Sequence, residues 1–253
     1  MQVALISDIH GNHTALKAVL DDIKLQNVDS IICLGDVATI GPQPRQVLAE
    51  LRALGCPCIM GNHDAALLDP NAAEEYKIAS PLIPTFKWCV NQLTEDDLNL
   101  LRSFQPSVEI LLDPDTRMLC FHGSPHSSTE GIFPTTPFKK LDGFLSGSAA
   151  DIMVCGHTHS QMLRQHQGRP LINPGSIGAV FLTPVLSLKE PILLPWAEYA
   201  VVNFQDHVLS VDFRGIPLDL AEFSAVISDS DIPLKDRLFD QYSPNSPIDT
   251  KTG

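Results

Sequence analysis

The sequence predicts an α/β fold, two sheets packed face to face with helices outside, on three observations. Residues 2–60 alternate strand-like apolar runs with helical periodicity, the signature of a parallel βαβαβ unit. Residues 107–213 carry short apolar runs paired around turn signals, the pattern of hairpins. Several apolar runs end in Asp, His or Asn, which puts polar chemistry at strand ends, where open α/β sheets place their sites.

The first run, residues 3–6, opens into Ser7-Asp8-Ile9-His10-Gly11-Asn12. Leu16, Val19, Leu20 and Ile23 then recur at helical spacing and predict a helix over about 14–26. Residues 30–34 form a strand ending at Gly35-Asp36. A loop through Gly41-Pro42 leads to a helix near 44–54, stopped by Gly55. Residues 56–60 read as a buried strand ending in Gly61-Asn62-His63-Asp64, where Gly61 lets the backbone turn sharply. Residues 65–105 are helical, with Thr94 as a cap, Asp97 three residues on, and Pro106 as the stop. Runs 107–112 and 117–121 flank the turn Asp113-Pro114-Asp115, and the second run ends at His122-Gly123. A short helix over 137–145 precedes a strand, 151–155, that ends in Gly156-His157-Thr158-His159. Runs 161–165 and 170–172 pair around Gln167-Gly168. Asn173-Pro174-Gly175-Ser176 is a tight turn, and 199–204 pairs with 208–213. From about Asp229 the chain is rich in Asp, Ser and Pro with little periodicity. One domain over 1–220 is expected, with 221–253 an acidic tail, mobile or an arm for a partner.

A net charge of −13 argues against nucleic acid or an anionic membrane as partner, since both call for a basic surface. It does not argue against a phosphate substrate, because bound divalent metal supplies positive charge locally. No apolar run approaches the roughly 18 residues of a membrane span, and no leader is expected because Asp8 already belongs to the site. The six cysteines lack CxxC or zinc-finger spacing and read as reduced thiols of a cytoplasmic protein. The apolar stretch 179–195 is broken by prolines and reads as a packed cover or a homo-oligomer contact rather than an anchor.

Asp8 and His10 are two apart, so in an extended segment both face one way; His157 and His159 repeat the spacing. With Asp36, Asn62 and His122 they make a set of N and O donors without thiolate, too many for one tetrahedral zinc. The set suits two divalent ions such as Mn, Fe, Zn, Co or Ni, with a carboxylate between them. His13, His126 and His166 are expected to be solvated.

In order and spacing, Asp8-x-His10, Gly35-Asp36, Gly61-Asn62-His63-Asp64, His122 and Gly156-His157-x-His159 resemble the signature blocks of the calcineurin-like metallophosphoesterases, over about residues 1–212. Ser-Asp-Ile-His-Gly-Asn, Leu-Gly-Asp, His-Gly-Ser-Pro and Asn-Pro-Gly-Ser resemble the small prokaryotic YfcE-like phosphodiesterase branch. The resemblance implies a four-layer α/β/β/α sandwich of two mixed sheets. It implies a first metal on Asp8, His10 and His159, a second on Asn62, His122 and His157, and Asp36 bridging. It makes His63 the group that protonates the leaving oxygen or steadies the transition state, with Asp64 orienting its ring. The nucleophile would be a hydroxide held between the metals, attacking phosphorus. Asn12, Asn62 and the turn 173–176 would contact the phosphate.

The expected substrate is a small phosphate ester: a phosphodiester, cyclic nucleotides included, before a phosphomonoester. A dinucleoside polyphosphate hydrolase, a protein phosphatase and an idle binding scaffold on the same fold are the alternatives. A protein phosphatase is disfavoured by the lack of Asp-Arg-Gly after Asp36 and of Arg beside His63, and a scaffold by the complete ligand set. Two departures from the branch, Ala38-Thr39-Ile40-Gly41 without an aromatic and the long apolar 179–195, sit where substrate choice is set.

Overall fold

A computed structural model of the chain describes residues 1–182 and 192–242. Two mixed sheets stack face to face. The first has the order β2-β1-β8-β9, from β1 (Gln2–Ile6), β2 (Ser30–Cys33), β8 (Trp196–Gln205) and β9 (Val208–Pro217). β1 runs parallel to β2 and antiparallel to β8, and β8 and β9 are a hairpin. The second has the order β3-β4-β5-β7-β6, from β3 (Ser107–Asp113), β4 (Thr116–Phe121), β5 (Ile152–Val154), β6 (Met162–His166) and β7 (Arg169–Asn173). Its parallel core β4-β5-β7 is flanked by the hairpins β3–β4 and β6–β7.

Alternation along the strands builds the layers, because successive side chains leave opposite faces. From β1, Val3 and Leu5 enter the core between the sheets, where they meet Met118, Cys120, Ile152 and Val154. Ala4 and Ile6 point the other way, into a core shared with α1 (His13–Ile23), α2 (Pro44–Leu54), α3 (Asn62–Leu68), α4 (Ile83–Gln92) and α5 (Glu95–Arg102). On the far side Phe121, Met153 and Cys155 meet Leu141 of α6 (Phe138–Phe144). The result is the expected α/β/β/α sandwich.

Local signals act as the sequence indicates. Gly55 ends α2 at φ +63°, and Thr94 and Asp97 form a capping box on α5. Three expectations are corrected. Residues 56–60 are not a strand: they make only isolated parallel bridges, Cys33 with Cys58 and Ile59 with Gln105. Pro57 contributes a carbonyl to Cys33 N but has no N–H to return, which cuts the ladder short. The first helix ends at Ile23, because residues 24–27 turn and Asn27 takes φ +50°. The stretch after 220 is folded as far as it is described. α7 (Leu220–Asp229) buries Phe223 and Ile227 in the helical core, Ile232 is also buried, and α8 (Lys235–Tyr242) follows. Residues 243–253 lie outside the described residues, as do 183–191 of the apolar stretch. The ends of that stretch pair through Leu182 N to Ile192 O and Leu194 N to Val180 O. All six cysteines are free thiols. Among the described residues no helix is long and apolar enough to cross a membrane.

Candidate metal centre

The loops after β1 and β2 are zipped beyond the strands: Asp8 N donates to Gly35 O, His10 N to Asp36 O and Gly11 N to Val37 O, each at 2.8–2.9 Å. The second sheet joins through Gly156 N to His122 O, and His122 Nδ1–H donates across to Leu34 O at 2.7 Å. Asp8, His10, Asp36, His157 and His159 all take positive φ, between +47° and +66°. The expectation of extended i,i+2 pairs is therefore corrected: these residues sit in strained left-handed turns, which costs about 1–3 kcal/mol each and concentrates where a site demands it. Glycines make room for the approach. A Cβ on Gly61 would lie 2.1 Å from Asp36 Oδ1, and one on Gly156 2.2 Å from Ser7 Oγ.

Two groups of donors result. Asp8, His10 and His159 each bring a ligand atom within 4.8 Å of the others, and so do Asp36, His122 and His157. In the first, His10 Nε2 and His159 Nε2 stand 3.1 Å apart, with Asp8 Oδ1 3.3 Å from His159 Nε2. In the second, His122 Nε2 lies 3.3 Å from Asp36 Oδ2 and 3.2 Å from Asn62 Oδ1.

The rings are held from behind, which decides what their front atoms can do. Nδ1–H of His122 donates to Leu34 O, and that of His159 to Ala179 O at 2.6 Å, so each neutral ring turns an Nε2 lone pair inward. Asp8 Oδ2 accepts from Ser7 Oγ and His157 N, leaving Oδ1 buried without a hydrogen-bond donor. Asp36 Oδ1 accepts from His63 N, and Asn62 Nδ2 donates to Tyr76 O, so Asp36 Oδ2 and Asn62 Oδ1 both face His122. Buried lone pairs that face one another call for a cation. Without an ion, a proton on His122 Nε2 takes up part of that demand, and a metal would displace it. Burial alone would raise the Asp8 carboxyl, but His159 outweighs it and holds it at about 2. Burial would lower His122, yet Asp36 pushes it up to about 10. His157, buried and beside His122, falls to about 4. The donor set therefore fits two divalent ions of the borderline class, one on each group.

A cavity of about 270 Å³ opens over these residues, lined also by His63, Lys77, Phe133 and Phe181. His63, on the first turn of α3, reaches it. Its Nδ1 lies 2.9 Å from Thr39 Oγ1, which also lies 3.2 Å from His10 Nδ1. Asp64 does not orient the His63 ring. Its carboxylate accepts backbone N–H groups of Asp36, Val37 and Gly61 at 2.7–3.1 Å and ties the loop after β2 to α3. Burial and the Asp36 charge raise that carboxyl to about 7 against those three donors. Asn12 is placed as a helix cap, accepting from Ala15 N, outside the residues that line the cavity. The turn 173–176 braces the site from behind, through Asn173 Nδ2 to Gly156 O and Ser176 Oγ to Asp8 O. His126 is exposed and bonded to Ser146 O. His166 is not solvated but 2% exposed, facing Asp142 of α6 at 3.2 Å.

Lys77 is a cavity residue with no signal in the sequence, whereas Thr39 and Phe181 fall in the segments 38–41 and 179–195 expected to set substrate choice, without being singled out there. Phe181 lies inside the apolar stretch and stacks on the His159 ring at 4.7 Å and 12°.

Residues 1–187 match the model of the calcineurin-like phosphoesterase superfamily domain. An uncharacterized protein of Methanocaldococcus jannaschii is 29% identical over 177 residues, covering 69% of each chain. A symmetrical bis(5'-nucleosyl)-tetraphosphatase of Erwinia tasmaniensis is 38% identical over 71 residues, and the match spans 26% of that protein. Among solved structures, a metallophosphoesterase of Sphaerobacter thermophilus superposes with TM-score 0.72 at 25% identity, covering 96% of this chain and 98% of its own. A hypothetical protein of Pyrococcus horikoshii superposes with TM-score 0.77 at 20% identity, covering 94% and 97%, and shows the same fold.

Proposed function

Since the chain belongs to the calcineurin-like phosphoesterase superfamily, we propose that it is a dimetal phosphoesterase of the cytoplasm acting on small phosphodiesters in preference to monoesters. The observation that carries this reading is the pair of donor groups, three residues each, of which His10, His159, Asp36 and His157 line one cavity beside His63. Asp8, His10 and His159 would hold one ion, and His122, His157 and Asn62 the other, with Asp36 shared. When bound, the ions supply acidified water and neutralise the phosphoryl oxygens.

The chain's own residues do the rest. If His10 binds through Nε2, its Nδ1–H donates to Thr39 Oγ1. The single hydroxyl proton of Thr39 then goes to His63 Nδ1, which leaves His63 with its proton on Nε2. That Nε2–H is the donor that steadies charge developing on the leaving oxygen. Lys77 brings a cation to the cavity wall, with no ion-pair partner among the described residues, and suits a phosphoryl oxygen outside the metals.

The test is hydrolysis of bis-p-nitrophenyl phosphate and p-nitrophenyl phosphate by Mn-loaded protein, wild type against His63→Ala. We expect diester turnover, and a fall of about 10²–10⁴ in kcat for the variant with its metal retained. Monoester turnover alone would move the assignment to phosphatase, and no turnover of either would overturn it. A second reading, pyrophosphate-bond hydrolysis in a dinucleoside polyphosphate, is favoured by the similarity to the tetraphosphatase and is tested with diadenosine tetraphosphate in the same assay.

A further inference from the structure

The metal cavity has a neighbour. A second cavity of about 200 Å³ shares Ile40, Ala79, Leu82 and Phe181 with it and continues away from the ligands toward Leu193 and α8. Apart from Thr85, whose hydroxyl donates to Pro233 O, and Arg237, every residue lining it is apolar. An apolar space of about 150 Å³ already accommodates benzene, so this one has room for a short alkyl chain or a single ring.

Ile40 stands at the divide. It takes φ +72°, and Gly41 N donates to Thr39 O at 2.8 Å across it, a γ-turn of the strained hand. A β-branched residue at positive φ is an outlier, and the chain bears that strain while placing an apolar side chain between the two cavities. Phe181 also lines both cavities and is stacked on His159. Ile40 and Phe181, one from each of the two segments that depart from the related branch, thus meet at this junction.

We propose that the second cavity is the subsite for an apolar organic group on the substrate, an alkyl or aryl ester substituent whose phosphate sits over the metal ligands. The proposal rests on the phosphoesterase reading. It favours hydrocarbon over a nucleobase, because the walls offer almost no partners for ring nitrogens and exocyclic groups. Leu234 of the lining is 43% exposed, which gives the subsite an opening on the side of α8.

The experiment uses the Mn-loaded full chain and two readouts. The first is calorimetric binding of methyl-, butyl- and phenylphosphonic acid, which needs no turnover. The second is hydrolysis of the methyl, butyl and phenyl esters of p-nitrophenyl phosphate, where nitrophenolate leaves in every case. Each buried methylene is worth up to about fourfold in affinity. We therefore expect butyl- and phenylphosphonic acid to bind at least about tenfold tighter than methyl, and KM of the esters to fall in step. Leu238 of α8 lines the second cavity and not the metal cavity; Leu238→Glu and Leu238→Trp, which charge and fill the subsite, should flatten both series while leaving the methyl compounds and metal content unchanged. A flat wild-type affinity series with hydrolysis intact would overturn the subsite and leave the enzyme reading standing. A steep series without hydrolysis would do the reverse. A steep series that both Leu238 variants leave steep would also overturn the subsite.

Discussion

His63 owes its orientation to Thr39 and not to its sequence neighbour Asp64. Adjacent residues on a helix point about 100° apart, so Asp64 turns away toward the backbone of the preceding loops. Thr39 lies 24 residues away in the chain, and a threonine in a loop carries no pattern that announces such a partner. The candidate metal ligands were legible for the opposite reason: each stands at or just beyond the end of an apolar run, where an unpaired polar group would be costly. Thr39→Val should lower kcat about tenfold or more with two metals retained, and Thr39→Ser should restore it; unchanged kcat in the valine variant would remove Thr39 from the positioning of His63. Lys77→Ala should raise KM several-fold while changing kcat less, as expected for an exposed cation on the substrate phosphate.

At the scale of elements, the site depends on how closely α3 and the strand-end loops approach. A methyl group on Gly61 has no room beside Asp36 Oδ1. Gly61→Ala should therefore cut the metal-to-chain ratio, measured after dialysis against Mn, by half or more. The helical face of the first sheet is locked separately. Asp22 of α1 accepts from Tyr199 Oη on β8 and from Arg214 Nε on β9 at 2.8 Å. The Arg214 hydrogen bond holds its carboxyl below the usual range. A depressed folded pKa gives stability that is complete above the unfolded value near 3.9 and is lost as pH falls through the folded one. Asp22→Asn should thus lower the urea midpoint at pH 7, and the gap to wild type should narrow below about pH 4; a constant gap would contradict the ion-pair account. Such cross-element contacts were invisible in the sequence, whereas helix caps such as Thr94–Asp97 were readable because both partners lie within one turn. Residues 56–60 misled because apolar content marks burial, while ladder formation needs N–H groups that Pro57 lacks. The stretch after 220 misled because its Asp and Ser content hid the spacing of Phe223 and Ile227, four apart on one buried helix face.

Over the whole molecule, two sheets built from alternating residues bring donors from positions 8 to 159 to one rim. Two carboxylates, backed by rings already turned inward, concentrate lone pairs that protons on His122 and His159 offset in part and that two cations would offset fully. The five left-handed residues belong to the candidate ligand groups and meet only in the folded chain, so metal should stabilise the fold as a ligand that binds only the native state. Chelation with excess EDTA should lower the melting temperature, and added Mn should restore it. The most direct test is the metal-to-chain ratio of the wild-type protein after loading with Mn and desalting. Two ions per chain are expected, falling to one or fewer in Asp36→Ala. A wild-type ratio of one or below, in folded protein, would contradict the dimetal reading.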